Sequence, residues 1–212
     1  MKRRLTPLAI AMGLVLGFVT TNPATATDEP DELMPGFRAN VRPGTPTGFG
    51  AFAKIDCRAG TTDFDLPDEP ANDPTVEGGT LRLFDTGGDA GDDTYSLPAA
   101  NWSRIPSNPL STLRGFRYQG ARTLTDPCRL VLVRERRVKA ICVRQGMSLT
   151  PPFNGDLAAV LTVGSASKRY CAQFGGFTSL NDHRLRRKGA PAPGACASPS
   201  GAFLEVAVDL LE

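Results

Sequence analysis

Residues Cys128 to Cys142 read Cys-Arg-Leu-Val-Leu-Val-Arg-Glu-Arg-Arg-Val-Lys-Ala-Ile-Cys. In a β-strand successive side chains point to opposite faces, so every second residue shares a face. Folding the stretch about Glu135 pairs six residues on one face: Cys128 with Cys142, Leu130 with Ala140, and Leu132 with Val138. The stretch therefore predicts a β-hairpin with a charged tip, Arg134-Glu135-Arg136, and a disulfide at its open end.

The beginning of the chain has the features of a signal peptide. It combines a basic start at Lys2-Arg3-Arg4, an apolar run over residues 8–19 that is too short to span a bilayer, and small residues at Ala24-Thr25-Ala26. We therefore expect residues 1–26 to be a signal peptide, residues 27–48 a flexible leader rich in Pro, Gly and Thr, and residues 49–212 a single β domain. Export would place the protein in the periplasm, at the cell surface or outside the cell, with no transmembrane segment after cleavage.

The chain has five cysteines, and export permits disulfide bonds. Beside the Cys128–Cys142 pair, Cys171 and Cys196 form the natural second pair. Cys57 is then left over, either as a buried thiol or as a reactive or intermolecular one. We expect it to be buried, because it alternates with apolar residues over 49–57 and an unpaired cysteine packs like a small hydrophobic residue.

Short apolar stretches separated by Gly/Pro-rich turns continue along the rest of the chain. Strands are predicted over residues 49–57, 81–84, 95–97, 115–121, 157–163 and 169–174, and a strand or turn over 183–188. No long amphipathic helix is evident. The sequence therefore predicts an all-β fold, an antiparallel sandwich or barrel-like domain with two disulfides. Trp102, the single tryptophan, is expected to anchor its core rather than to stack on a ligand.

Several motifs between residues 49 and 196 resemble an uncharacterised cysteine-stapled β module of exported bacterial proteins. They include Leu97-Pro98-Ala99-Ala100-Asn101-Trp102, Tyr170-Cys171-Ala172-Gln173-Phe174-Gly175-Gly176 and Ala190-Pro191-Ala192-Pro193-Gly194-Ala195-Cys196. The two cysteine-containing endings are the specific part. The resemblance implies an exported β domain and no particular catalysis. Cys57 departs from the four-cysteine pattern of the module.

Charge is distributed unevenly along the chain. Residues 28–93 hold fifteen acidic and five basic residues, whereas residues 94–212 hold sixteen basic and seven acidic residues. The two halves could neutralise each other within the fold, or the basic half could contact an anionic partner.

Two short basic clusters are the candidate binding residues: Arg134, Arg136, Arg137, Arg184, Arg186, Arg187 and Lys188. An anionic envelope polymer, such as an acidic polysaccharide or lipopolysaccharide phosphate, or a surface protein would be their partner. The alternative is that they are solvated tips that protect sheet edges from aggregation. Nucleic acid is not expected, because the clusters lack interleaved aromatic residues and the chain is expected to be exported.

Acidic residues after the predicted strand 81–84 allow two other hypotheses. Asp85-Thr86-Gly87 resembles the aspartic-protease tripeptide, whose chemistry needs two carboxylates sharing one proton and hence a dimer here. The loop could instead bind Ca²⁺ through four carboxylates, Asp85, Asp89, Asp92 and Asp93, although no glutamate closes an EF-hand. The single histidine, His183, excludes sites built from several histidines.

The leading hypothesis is therefore a non-enzymatic secreted or envelope-associated binding or scaffold module that needs no cofactor. A carboxylate-dependent hydrolase using Asp85 and a calcium-stabilised structural domain are the alternatives.

Overall fold

The computed structural model describes residues 30–42, 51–67, 71–88, 91–108, 110–123, 125–144, 148–149, 155–164, 168–175, 178–181 and 184–198. The predicted signal peptide, Phe49, Asp89 and His183 lie outside the described residues. Within these ranges the chain forms thirteen strands and two short helical turns. None of the helices found there has the length and apolar character needed to cross a membrane.

In chain order the strands are β1 (Glu32–Leu33), β2 (Gly36–Arg42), β3 (Ala51–Arg58), β4 (Gly79–Asp85), β5 (Asp92–Leu97), β6 (Trp102–Arg104), β7 (Phe116–Tyr118), β8 (Cys128–Arg134), β9 (Arg137–Arg144), β10 (Leu157–Val163), β11 (Lys168–Phe174), β12 (Thr178–Asn181) and β13 (Arg184–Ala190). Helix α1 (Pro74–Glu77) precedes β4, and a 3-10 helix (Ala99–Asn101) precedes β6. The Asp73 side chain caps α1 by accepting a hydrogen bond from the Thr75 N–H at 2.8 Å.

The strands form two sheets. The five-stranded sheet has the order β1-β11-β10-β4-β5, and the eight-stranded sheet has the order β12-β13-β2-β3-β9-β8-β7-β6. Neighbours are antiparallel except β1 and β11, which are parallel. Fully buried residues from both sheets, such as Leu83 and Val163 from one and Val41 and Val133 from the other, belong to one hydrophobic core. The prediction of an all-β, sandwich-like fold is confirmed.

The disulfides Cys128–Cys142 and Cys171–Cys196 are both present, as predicted. Trp102 is 6% exposed and donates its indole N–H to the Leu97 carbonyl at 3.2 Å. Its ring meets that of Tyr118 edge-on, with the centroids 5.4 Å apart. Trp102 is therefore a core residue, in agreement with the sequence.

The hairpin of β8 and β9 differs from the prediction in its register. Glu135 and Arg136 alone form the turn, since Arg134 pairs with Arg137, and two-residue turns suit the twist of a hairpin. A β-bulge between Cys128 and Leu130 absorbs the odd residue and restores the pairing of the two cysteines. Between turn and bulge the side chains of β8 therefore lie on the face opposite to the predicted one, whereas those of β9 keep theirs. Val131 and Val133 are buried beside Val138 and Ala140, where the predicted register placed Leu130 and Leu132.

The predicted flexible leader, residues 27–48, is wrong over residues 30–42. Strand β2 lies inside the eight-stranded sheet between β13 and β3, with Ala39 and Val41 fully buried. Strand β1 pairs with β11 at the edge of the other sheet. The β domain therefore begins earlier than predicted; residues 27–29 and 43–48 lie outside the described residues.

Cys57 is a free thiol with no solvent exposure, as expected from its alternation with Ala53 and Ile55. Burial, and to a lesser extent the neighbouring Asp56 carboxylate, raises the pKa of the thiol far above its usual value. The reactive species of a cysteine is the thiolate, which is therefore almost absent at neutral pH.

We expect Cys57 to resist alkylation by maleimide in the native protein at pH 8. Under denaturant and without reductant, the protein should incorporate one label per chain, because the other four cysteines are in disulfides. Mass spectrometry of the labelled protein measures both states. Rapid labelling of the native protein would contradict a buried Cys57.

Candidate functional site

The outer face of the eight-stranded sheet is strongly basic. Side chains that alternate with the core residues place ten cations on it: Arg38, Arg42, Lys54, Arg58, Arg117, Arg134, Arg137, Lys139, Arg186 and Lys188. We call this set the basic face. Asp56 is the one carboxylate that the described strands add to it. Such a concentration of one sign of charge creates a potential that attracts anions.

Strand register aligns several of these residues in a row across the sheet. Residues directly opposite each other on neighbouring strands lie on the same face. Successive pairs along the row are Lys188 with Arg38, Arg38 with Asp56, Asp56 with Lys139, Lys139 with Leu132, and Leu132 with Arg117. The row therefore runs from β13 to β7, perpendicular to the strands.

The carboxylate in this row is already neutralised. Arg137 donates from Nε and Nη2 to the two oxygens of Asp56, at 2.8 and 2.7 Å, and Asp56 is only 4% exposed. Bidentate pairs of this kind are among the stronger charged hydrogen bonds. Arg137 and Asp56 thus cancel each other, and the remaining nine cations determine the sign of the face.

Lys139 responds to this concentration of positive charge. Partial burial lowers the pKa of its ammonium group, and repulsion from Arg137, Lys54 and Arg129 lowers it further, against the opposite effect of Asp56. Because burial and the neighbouring cations both disfavour the charged form of Lys139, an anion bound beside it would stabilise that form.

One end of the row opens into a cleft of about 200 Å³ lined by Arg38, Asn40, Arg186 and Lys188, which we call the first cleft. Arg38 and Lys188 belong to the row, and Arg186 lies opposite Asn40 one step along the strands. No ion pair joins the three cations of this cleft to a carboxylate in the described part of the chain.

The other end of the row opens into a second cleft, of about 290 Å³, lined by Arg117, Gln119, Gly120, Arg122, Arg129 and Leu130. Its three arginines likewise have no carboxylate partner among the described residues. Arg122 has φ 63°, the left-handed conformation that is unusual for a residue other than glycine.

Hydrogen bonds to the buried Asp126 carboxylate hold the loop that carries Gln119 to Arg122. The Tyr118 hydroxyl donates to one oxygen of Asp126, and the other oxygen accepts from the Ala121 N–H at 2.7 Å. Burial, together with the hydrogen bond to Asp126, raises the pKa of Tyr118 to about 12. A side chain at Gly120 would collide with the Cys128 carbonyl and with Asp126. The second cleft is therefore held in place by the core.

The outer face of the five-stranded sheet is different. Its arginines are neutralised: the Arg82 Nε lies 2.8 Å from an oxygen of Asp92, and Arg169 makes two 2.6 Å bonds to Asp31. The contrast between the two sheets shows that the positive charge is confined to one side of the sandwich in the described structure.

The predicted binding residues separate into four groups. Arg134, Arg137, Arg186 and Lys188 lie on the basic face. Arg136 lies in the hairpin turn and pairs with Asp63 at 2.9 Å, and the Arg184 side chain lies outside the described residues. Arg187 differs from its predicted place on a binding surface. It lies opposite Ala39 on the inner side of β13 and is 8% exposed, because alternate residues of a strand face opposite ways.

Most of the basic face was missed from the sequence. Arg38, Arg42, Lys54 and Arg58 come from the half of the chain that is acidic on average. The signal that could have found them is alternation, since the two members of each pair are four positions apart in one strand, and an even spacing puts both on the same face. Two of them, Arg38 and Arg42, lie in residues 27–48, which the sequence predicts to be a flexible leader.

The acidic loop after β4 serves a structural role. Asp85, 1% exposed, accepts hydrogen bonds from the Gly87 and Gly155 N–H groups at 3.1 and 2.9 Å. Asp93 accepts from the Ser148 N–H at 3.0 Å. These contacts tie the loop to the segments before β10 and after β9. The hydrolase hypothesis stays a prediction.

The candidate calcium ligands are held by different groups. Asp92 pairs with Arg82, Asp93 with Ser148, and Asp85 with backbone N–H groups; Asp89 lies outside the described residues. In the described ranges, three potential metal-ligand atoms come together only at Asp31, Cys171 and Cys196, where both sulfurs form the disulfide. Calcium binding stays a prediction.

Comparisons with protein-family models, curated proteins and solved structures find no match to this chain. The resemblance to the exported bacterial module therefore stays an inference from its motifs.

Proposed function

We propose that this protein is a non-enzymatic, exported binding module whose basic face engages an anionic polymer of the cell envelope. The observation that carries the proposal is the asymmetry of its two sheets. Arginines of the five-stranded sheet are paired with Asp92 and Asp31, whereas the basic face holds ten cations and one carboxylate. Like charges repel, so a face of this composition disfavours the folded state. Binding of a partner that supplies the missing negative charge would explain why the face is so basic.

The expected compartment agrees with such a partner. Two disulfides connect described strands and segments, and disulfides persist in oxidising compartments. The basic start and apolar run of residues 1–26 predict export. An exported protein meets the anionic polymers of the envelope, and those polymers have the charge that the basic face lacks.

The spread of the cations over six strands favours a polymer over a small metabolite. The cations are spread over β13, β2, β3, β9, β8 and β7. In the described structure Arg38, Arg117 and Arg134 lie in three separate open clefts rather than together in one. A long chain can contact many of these residues at once, and weak contacts then add up to useful affinity.

We expect the mature protein to be retained by an immobilised acidic polysaccharide at low salt and to be released at high salt, because salt screens exposed charges. Changing Lys54 and Lys139 to Gln should lower the affinity by about tenfold or more, since each cation near an anionic surface contributes about 1 kcal/mol. Affinity electrophoresis over a range of salt concentrations measures both effects.

The matched control changes Arg82 and Arg169 to Gln. It removes the same two charges, but from the five-stranded sheet, and should leave retention nearly unchanged. Equal losses from the two variants would mean that net charge alone is responsible. Absence of retention at low salt would refute the proposed function.

A further inference from the structure

We propose that the two clefts are the ends of one binding track, which holds a single extended acidic polysaccharide across the strands. The inference rests on the proposed function, whose site it specifies. It adds the direction of the bound chain, the chemistry of its repeating unit and the number of chains bound per protein.

The track follows from strand register. The row that begins with Lys188 and Arg38 in the first cleft ends with Arg117 in the second. The first cleft lies between β13 and β2 and the second between β8 and β7, four strand spacings away. At about 4.8 Å per spacing, the clefts are about 19 Å apart. Lys139 lies in the same row between them.

The two clefts have the same kind of composition. Each contains three cations, at least two of them arginines, beside one side-chain amide, Asn40 in the first and Gln119 in the second. Guanidinium groups bind carboxylates and sulfates through two parallel hydrogen bonds. Amides both donate and accept hydrogen bonds, as sugar hydroxyls require, whereas a polyphosphate chain offers acceptors alone. Acidic sugars therefore fit the pair of clefts better than polyphosphate.

A chain that reaches both clefts binds with an advantage that a short one lacks. Once one anionic group occupies the first cleft, its neighbours along the chain are held close to the second cleft, and the second contact becomes intramolecular. A fragment shorter than the track gains nothing from this effect. Length dependence and stoichiometry therefore distinguish a track from two separate sites.

The experiment is isothermal titration of the full mature protein with oligogalacturonates of defined length. A disaccharide, shorter than the track, should bind weakly with two molecules per protein. An octasaccharide, longer than the track, should bind with one molecule per protein and about a hundredfold tighter. Two octasaccharides per protein, or no gain in affinity with length, would overturn the track.

Two single variants test the ends of the track. Arg122→Gly removes a cation from the second cleft, and glycine adopts the left-handed backbone of this position without strain, so the fold is retained. Arg186→Gln removes a cation from the first cleft. Each should lower octasaccharide affinity at least fivefold and leave the disaccharide site of the opposite cleft intact. If either variant has no effect, the chain does not span both clefts.

The failures can be told apart. If a high-molecular-mass polygalacturonate binds but length brings no gain, the track is refuted and the proposed function stands. If no polyanion binds, both fail. If polyphosphate of equal charge binds as tightly as the octasaccharide, the assignment to acidic sugars is wrong.

Discussion

A variant in which Arg38, Lys188, Arg117 and Arg129 are all changed to Glu should lose at least about a thousandfold of its affinity for a polyanion. Each reversal replaces an attraction of about 1 kcal/mol by a repulsion of similar size, so four reversals exceed the roughly 4 kcal/mol that a thousandfold change represents. The four side chains are exposed and have no carboxylate partner in the described structure. Surface changes of this kind usually alter stability little, and this one relieves repulsion. Titration with polygalacturonate, together with thermal unfolding, measures binding and fold in one preparation.

The control for this variant keeps every charge. Arg38→Lys, Lys188→Arg, Arg117→Lys and Arg129→Lys together should retain affinity to within about fivefold if charge is the main attraction. A larger loss would show that the planar guanidinium groups are required. Retained binding by the four-glutamate variant would exclude the basic face as the polymer site.

Removal of the Cys128–Cys142 disulfide should lower the stability of the fold more than any of the other substitutions. The bond joins residues separated by 14 positions, and closing a loop of that size contributes about 3 kcal/mol through the entropy of the unfolded chain. For a protein of this size, that corresponds to a fall in Tm of about 6 to 12 °C. The variant changes both Cys128 and Cys142 to Ala, which avoids leaving one reactive thiol. Differential scanning calorimetry without reductant measures the shift.

Cys57→Ala provides the matched control. Cys57 lies on β3, next to β9, and is as fully buried as the two disulfide cysteines, but it cross-links nothing. Its replacement by alanine removes only a sulfur atom and should cost about 1 kcal/mol or less, in the range of a small core truncation. Similar losses from Cys57→Ala and the double variant would mean that packing of the sulfurs, rather than the cross-link, stabilises the hairpin.

The hairpin shows how far sequence reasoning could reach. Alternation located the strands and the cysteines located the disulfide, because both depend only on local spacing. The register could not be deduced. A three-residue turn without a bulge and a two-residue turn with one both place Cys128 opposite Cys142, and they differ in whether Val131 or Leu132 faces the core. That choice depends on twist and packing against the other sheet, which single-strand patterns do not contain.

The basic face shows where sequence reasoning ended. The predicted binding residues came from two runs of charge, residues 134–137 and 184–188. Consecutive residues of a strand alternate between its two faces, so a run cannot lie on one face. Arg187, for example, lies on the inner side. The face instead comes from alternate residues on strands distant in sequence. Arg38 of β2 and Lys188 of β13 are neighbours only because β13 returns to pair with β2. Long-range pairing of this kind leaves no local pattern.

Pairing of Arg82 and Arg169 with aspartates has a consequence for how the molecule meets a charged surface. With its positive charge on one side, the sandwich has a permanent electric dipole, and a negatively charged surface exerts a torque on it before contact. On such a surface the protein would therefore adsorb by its eight-stranded sheet. Molecules adsorbed in this way would present the five-stranded sheet, with Thr80, Thr94 and Ser96 exposed along it, to the surrounding medium.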